Sequence, residues 1–406
     1  MPGGTGGITG TTESIRRANL SAVLRILYLS GPCSRAELSR ATGRNRSTIA
    51  SLVADLVDLN LVSEREPDAS RRVGRPSPVV AVRPNVAAIA VNPEIDALTI
   101  GLVGLDGTVK RVIRHDYDRI PSAAEAVSII AAVVGGMRLE LDEHLMAGIG
   151  VAVPGQVRTR DGVVMNAPHL NWHEEPFGEP LERATGLPVS VANDAGLGAL
   201  AERDFGAGRG RQHFIYLNGG ACGIGGGLVA GGELLAGASG YGGELGHIRV
   251  SSSTATDSAG ISGTLEAEVT RAELLAALGL DRVDPDTFEK ALLADRSPKV
   301  RVVVERQLDH LGSALASAIN LLNPQVVALG GFLSALLAYD PERLHAAVAA
   351  AALPPSFEGV RITATEVGSH LLMIGAAQLA FTRLLSDPAS VGRRIDDPDA
   401  VGVLST

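Results

Sequence analysis

Two pairs of side chains in this chain are spaced for work on hydroxyl groups. Asn193-Asp194 follows the apolar run 187–192, so an amide and a carboxylate sit together at a strand end. Such a pair can donate to one hydroxyl and accept from the next, as sugar recognition demands. Standing alone it reads equally well as a helix cap, because Asn and Asp accept from the free N–H groups of a helix start. Glu244 and His247 are three residues apart, and on one helical turn they point the same way. A lone histidine there would equally be a satisfied structural residue.

A third set suits phosphates. Arg44, Asn45, Arg46, Ser47 and Thr48 cluster at the start of one predicted helix, and Ser34 and Arg35 open the helix before it. Arginines and short donors in that place are what a recognition helix presents to phosphates and major-groove base edges. Arg71, Arg72, Gly74, Arg75 and Pro76 form a basic arm. An extended arginine between Gly and Pro can enter a narrow minor groove. A basic loop by itself is more often solvated surface; following directly on a helix-turn-helix pattern, it reads as DNA contact.

The elements that must hold these residues follow from periodicity and punctuation. Leu20, Val23, Leu24, Leu27 and Tyr28 recur at helical spacing from Asn19, and Gly31-Pro32 stops that helix. Ser34 and Glu37 form a capping box for a short second helix that ends at Thr42-Gly43. A third helix runs from near Asn45 to about Leu59. Residues 61–62 and 79–82 are strand-like and flank the basic arm, which makes a wing. Beyond residue 84 strands and helices alternate as in α/β folds. Strands are expected at 86–91, 97–105, 109–115, 148–153, 187–192, 214–217 and 325–329. Helices are expected at 123–141, 195–205 and 300–322, and residues 219–228 read as a glycine-rich turn. Both halves start with a glycine-punctuated hairpin and continue into βα units, which predicts a duplicated lobe with a ligand cleft between the copies.

Length and composition agree. With 406 residues, 45% hydrophobic and 20% charged, the chain has room for two or three soluble domains. No apolar run is long enough to span a membrane, and the N-terminus lacks the charged start and apolar core of a signal peptide. Two cysteines, Cys33 and Cys222, imply a reduced cytoplasmic setting with no disulfide framework. Residues 1–83 hold 12 Arg, no Lys and seven acids, a net of +5, while the remainder carries −14. A basic module on an acidic body can still attract phosphate locally, within a Debye length.

Several motifs in order resemble the ROK family (repressor, open reading frame, kinase). They are Thr42-Gly43 with Ser47-Thr48, Gly74-Arg75-Pro76, Val153-Pro154-Gly155, Asn193-Asp194-Ala195, Gly223-Ile224-Gly225-Gly226-Gly227, Gly243-Glu244-Leu245-Gly246-His247, and Asn323-Pro324 with Gly330-Gly331. The resemblance covers about residues 19–380. It implies an N-terminal winged helix-turn-helix followed by a two-lobed α/β actin-like (sugar kinase) fold. The division it implies is a disordered leader over 1–18, the DNA-binding domain over 19–83 and the sugar-kinase-like domain over 84–385. Lobe one is then about 84–195 plus the C-terminal helix, lobe two about 196–370, and 386–406 a tail. In similar kinases the residue at Asp194 takes the proton of the attacking hydroxyl. The resemblance also implies that Glu244, His247 and Glu266 contact sugar beside Asn193 and Asp194. Trp172 could lie on a sugar face, with core packing an equal alternative.

Two departures qualify the resemblance. The family follows its Gly-His step with three cysteines that bind zinc, and residues 248–265 here contain none, so no zinc and no other cofactor is expected. The family's first phosphate loop is Asp-x-Gly-Gly-Thr, and here it is Asn92-Pro93-Glu94 within 91–95. Pro93 has no N–H to give and Glu94 repels phosphate. Asp194 is then a vestigial base, and no catalytic residue is expected. The expectation is a DNA-binding repressor of carbohydrate uptake or use, acting as a homodimer or homotetramer on a DNA operator and sensing a sugar. The apolar stretches at 344–353 and 300–322 could supply the interface or simply be core. The alternatives are an ATP-dependent sugar kinase with an appended DNA module, and a regulator that has lost ligand control.

Overall fold

The computed structural model describes residues 12–65, 78–220, 223–281 and 283–391. Its N-terminal part holds helices α1 (Thr12–Ser30), α2 (Arg35–Thr42) and α3 (Arg46–Asp58). Strands β1 (Cys33–Ser34), β2 (Val62–Arg65) and β3 (Val79–Val82) form an antiparallel sheet in the order β1-β3-β2. The capping box of α2 is formed: Ser34 Oγ accepts from Glu37 N, and Glu37 accepts from Ser34 N at 2.8 Å. Helix α1 starts at Thr12, seven residues before Asn19, so the leader expected over 1–18 is helical in its second part. Two ion pairs explain the extension. Arg17 reaches Glu13 one turn earlier at 3.1 Å, and Arg16 donates to Asp55 of α3 at 2.7 Å. Residues 1–11 and 66–77 lie outside the described residues, and with them the arm Arg71, Arg72, Gly74, Arg75 and Pro76.

This part is not a separate bead. Leu20, Leu24, Leu27 and Tyr28 share one apolar core with Phe381 and Leu384 of the Leu371–Ser386 helix. Tyr28 meets Phe205 edge-on at 5.4 Å and Phe381 at 6.2 Å. Ser21 Oγ donates to the Leu385 carbonyl at 2.6 Å.

Two five-stranded sheets follow. The first contains β4 (Val86–Pro93), β5 (Ala97–Gly104), β6 (Val109–Asp116), β7 (Leu145–Val153) and β11 (Val189–Asn193), ordered β11-β7-β4-β5-β6. A small antiparallel sheet of β8 (Gln156–Arg158), β9 (Val163–Ala167) and β10 (Trp172–Pro176) sits at the C-terminal end of β7. The second large sheet contains β12 (Phe214–Gly220), β13 (Gly223–Ala230), β14 (Glu233–Leu234), β15 (Val326–Gly331) and β16 (Arg361–Ala364). Its order β14-β13-β12-β15-β16 repeats the first sheet strand for strand: an antiparallel meander on one side of the leading strand, two parallel strands on the other. The apolar runs of β4 and β7 are buried because helices cover both faces, the usual state of parallel strands.

Two expectations from the sequence need correction. The helix expected over 123–141 breaks into Ala123–Gly136 and Arg138–Leu141, where Gly135-Gly136 weakens it. The glycine run expected as a turn is strand β13 itself. Its glycines are set by packing: a Cβ at Gly225 would stand 2.7 Å from Ala195 Cβ, and one at Gly227 would stand 2.4 Å from Ala199 Cβ. The helix Asp194–Phe205 therefore lies flush on β13.

The chain passes between the large sheets twice. One passage is the Asp194–Phe205 helix with the turn that follows it, and the other is the segment from β16 to the Leu371–Ser386 helix. Glu202, fully buried, joins them: its carboxylate accepts from Ala207 N at 2.8 Å, Glu366 N at 2.9 Å and Val367 N at 2.8 Å. Beside this junction Arg209 donates to the Leu29 carbonyl of α1 at 3.2 Å. Among the described residues no helix is long and apolar enough to cross a membrane.

Candidate functional site

Strand β11 delivers Asn193 and Asp194 to the C-terminal edge of the first sheet, where the following helix begins. Asn193 is the cap of that helix, with Oδ1 accepting from Gly196 N at 2.9 Å and Nδ2 donating to the Gly155 carbonyl at 3.0 Å. Capping and cleft placement are thus both true of this residue. Asp194 is half-buried, and its Oδ1 accepts from Ala195 N at 2.7 Å. Burial pushes its carboxyl up to about 7; the Ala195 N–H opposes that, and the charges of Glu94 and Glu244 add to it.

Across the cleft, Glu244 precedes a single 3₁₀ turn, Leu245–His247, and its carboxylate lies 3.9 Å from His247 Nε2. The three-residue spacing therefore brings the two groups together, as the sequence suggested. Burial raises the Glu244 carboxyl; His247 and a hydrogen bond with Gln156 oppose the rise, and Glu266 adds to it. Glu266 accepts from Ile224 N at 3.0 Å and from Ser258 N and Oγ at 3.0 and 2.5 Å, linking β13 to the loop after His247. All five residues, Asn193, Asp194, Glu244, His247 and Glu266, line one cavity of about 410 Å³ between the sheets. That volume suits a monosaccharide-sized ligand.

The cavity also has walls that sequence reasoning missed: Gln156, Asn166, His169, Asn218 and Ser258. His169 Nε2 is shielded from solvent and has no partner among the described residues. Gln156, Asn166 and His169 come from the small sheet and the turn between β9 and β10, preceded in sequence by the Pro154-Gly155 signal. Trp172 is core: it is buried, stacks on Phe177 at 5.3 Å and donates to the Pro121 carbonyl at 2.9 Å.

The loop that lacks the family's cysteines is ordered by acids. Asp257 is its hub, with Oδ2 accepting from Thr264 Oγ1 at 2.8 Å and facing His247 Nδ1 at 2.8 Å, and Oδ1 accepting from Ala259 N and Ile261 N at 3.0 and 2.8 Å. Glu268 holds the near end through Ser251 Oγ at 2.6 Å and a contact with Ser253 Oγ. The His247 ring is raised above its ordinary pKa: burial opposes the shift, and the Asp257 hydrogen bond with the charges of Glu266, Asp257 and Glu244 outweighs it. Four donors thus converge on one carboxylate, and the His247 nitrogen beside it is taken. This donor set, without a thiolate, does not fit a structural zinc. Among the described residues no group of three or more His, Cys, Asp or Glu side chains is placed to hold a metal ion.

In the N-terminal part, Arg44, Asn45, Arg46 and Ser47 are exposed at the start of α3, with Thr48 half-buried behind them. Asn45 is the cap of α3, accepting from Thr48 N and Ser47 Oγ, both at 2.8 Å. Ser34 is occupied by its capping box. Arg35 is committed to Glu64 of β2 through two parallel contacts, one of them 2.6 Å from Nε. The basic arm itself falls outside the described residues.

The comparisons with known proteins point one way. The model of the ROK family matches residues 95–383. The chain is similar to the xylose repressor of Caldicellulosiruptor bescii, 23% identical over 400 residues, 93% of this chain and 99% of that protein. It is similar to the glucokinase of Thermotoga maritima, 30% identical over 271 residues, which are 62% of this chain and 83% of the enzyme. Among solved structures it resembles a ROK family transcriptional regulator described as a homologue of the Escherichia coli MLC protein. That match has a TM-score of 0.76 at 25% identity and covers 92% of this chain and 97% of the other.

Proposed function

Because this chain belongs to the ROK family, we propose that it is a sugar-responsive, DNA-binding transcriptional repressor of carbohydrate uptake or metabolism. The observation that carries the reading is the union in one chain of two sites. One is an exposed helix start bearing Arg44, Asn45, Arg46 and Ser47, and the other is a cavity walled by Asn193, Asp194, Glu244, His247 and Glu266. The full-length similarity to repressors supports it. In this reading α2 and α3 are a helix-turn-helix, the β2–β3 hairpin is its wing, and Arg75, between those strands in sequence, enters a minor groove. The five cavity residues hold the sugar, no zinc takes part, and the protein acts as a homodimer or homotetramer, since paired half-sites need paired reading heads.

The kinase alternative meets a physical obstacle at the first phosphate loop. Pro93 ends β4 without a donor, and the N–H of Glu94 is already given to the Ala97 carbonyl at 2.8 Å. The similarity to glucokinases then reflects a shared scaffold.

The test uses purified full-length protein and DNA selected by that protein from a random pool. Binding to the selected DNA should change at least tenfold when the right sugar is added, with no sugar phosphate formed in the presence of ATP and magnesium. Phosphorylation of a sugar would restore the kinase reading. A DNA affinity indifferent to every sugar would favour a regulator without ligand control.

A further inference from the structure

The cavity fixes the charge of what it can hold, an inference that rests on the sugar-responsive reading above. Asp194, Glu244 and Glu266 line it, and Glu94 stands close enough for its charge to act on Asp194. Among the described residues no Lys or Arg lines the cavity. His247 can carry a charge, but acids flank both ring nitrogens and offset it, Asp257 at 2.8 Å from Nδ1 and Glu244 at 3.9 Å from Nε2. Arg114, which reaches the first loop, is shared by Asp96 at 2.9 Å, Asp116 at 2.8 Å and Glu94 at 3.8 Å.

Three backbone donors of the cavity wall are committed as well. A helix start is ordinarily an anion site, but here it is filled from within. Ala195 N is given to Asp194, Gly196 N to Asn193, and Ile224 N of the glycine-rich strand to Glu266. Neutral groups also face a ligand: the amides of Asn166 and Asn218, and His169 Nε2, which has no partner among the described residues. Among the described residues a phosphate dianion would thus meet Asp194, Glu244 and Glu266, with Glu94 near, and find no Lys or Arg, whereas sugar hydroxyls can donate to those same carboxylates.

We propose that the effector is a sugar with no anionic substituent, a free aldose or a neutral derivative, and that the carboxylate wall rejects sugar phosphates and nucleotides alike. Selectivity then comes as much from what the wall repels as from what it binds.

The experiment is calorimetric titration of the full-length protein with D-xylose, D-glucose, D-galactose, D-mannose and N-acetyl-D-glucosamine, each beside its terminal phosphate ester, and with inorganic phosphate and magnesium-ATP. At least one free sugar should bind, with its ester at least 100-fold weaker and no heat from phosphate or ATP. An ester that matches or exceeds its parent sugar overturns the proposal and leaves the sugar-responsive reading standing. If no member binds and DNA affinity responds to none, that reading falls and the proposal with it. A second arm uses Glu94→Lys, which should narrow the sugar-to-ester ratio tenfold or more. An unchanged ratio in a folded variant removes Glu94 from the wall and overturns its assigned part.

Discussion

The start of α3 and the start of the Asp194–Phe205 helix are built alike and used differently. Each is capped by an asparagine that accepts from the N–H three residues on. In α3 the residues around the cap, Arg44, Arg46 and Ser47, remain exposed. At the second helix they are a half-buried acid, Asp194, and a flush alanine, Ala195, under a glycine strand. The same local device therefore yields a surface that seeks negative charge and a cleft that refuses it. What decides is the neighbours the fold brings in: water around α3, and Glu94, Glu244 and Glu266 around Asp194.

The strongest way to break this contrast is Asp194→Asn. It should weaken sugar binding at least 100-fold, about 2.7 kcal/mol, measured by calorimetry, while binding to the selected DNA stays as before. Loss of DNA binding by the sugar-free variant would show that Asp194 serves the fold. On the other side of the comparison, Arg75→Ala should cost about 1–3 kcal/mol of DNA affinity if the arm enters a minor groove. Fluorescence anisotropy at moderate salt reads this, and an unaltered affinity removes the arm from the interface.

A smaller effect concerns pH. The folded protein holds the Asp194 proton up to about 7, against 3.8 for the free group. The folded state therefore binds more protons than the unfolded one between those values, so stability is full below about 4 and falls as pH rises through about 7. For a group that faces a cavity the loss is on the order of 1–2 kcal/mol. Thermal melts from pH 5 to pH 8 should show the decline in the parent and a flatter profile in Asp194→Asn; parallel profiles would contradict it.

Asp257→Asn keeps the shape of the loop hub and removes its charge. It should weaken sugar binding about tenfold, near 1.4 kcal/mol, with DNA affinity unmoved, and it should erase the NMR signal of a hydrogen-bonded His247 ring proton. Full affinity would mean the loop is ordered without Asp257. Smallest of all is Arg35→Ala. With Arg35 bound to Glu64, DNA affinity should change by less than about 0.5 kcal/mol; a larger loss would show that the arginine leaves Glu64 on binding DNA.

The residues that the sequence made readable share a property: their signals are local. Ser34 with Glu37, Asn193 before Asp194, and Glu244 with His247 are neighbours along the chain, and each was found where expected. The contacts that escaped notice join distant positions. Arg35 and Glu64 are 29 residues apart, and nothing near Arg35 announces the partner. Asp257 escaped for another reason: its partners lie within ten residues, but it is one acid in a run of serines and threonines. Glu202 carries no local signal at all, since its burial is caused by a segment more than 160 residues later. The glycines of β13 were misread as a turn because composition reports permissiveness, and cannot say whether backbone bending or a close neighbour requires it.

Glu202 has a consequence for how such a molecule can move. Both chain passages between the sheets are fastened by one carboxylate, so the halves are pinned where the packed Asp194–Phe205 and Leu371–Ser386 helices run side by side. A pinned pair can swing but resists sliding. Any such swing would be widest at the free edge of the cleft and narrowest at the pin, where Arg209 donates to the Leu29 carbonyl at the end of α1. The N-terminal part sits at the slow end of the lever and would receive a twist with little travel. Two such parts in one oligomer could turn out of register with a pair of half-sites without ever leaving the body that carries them.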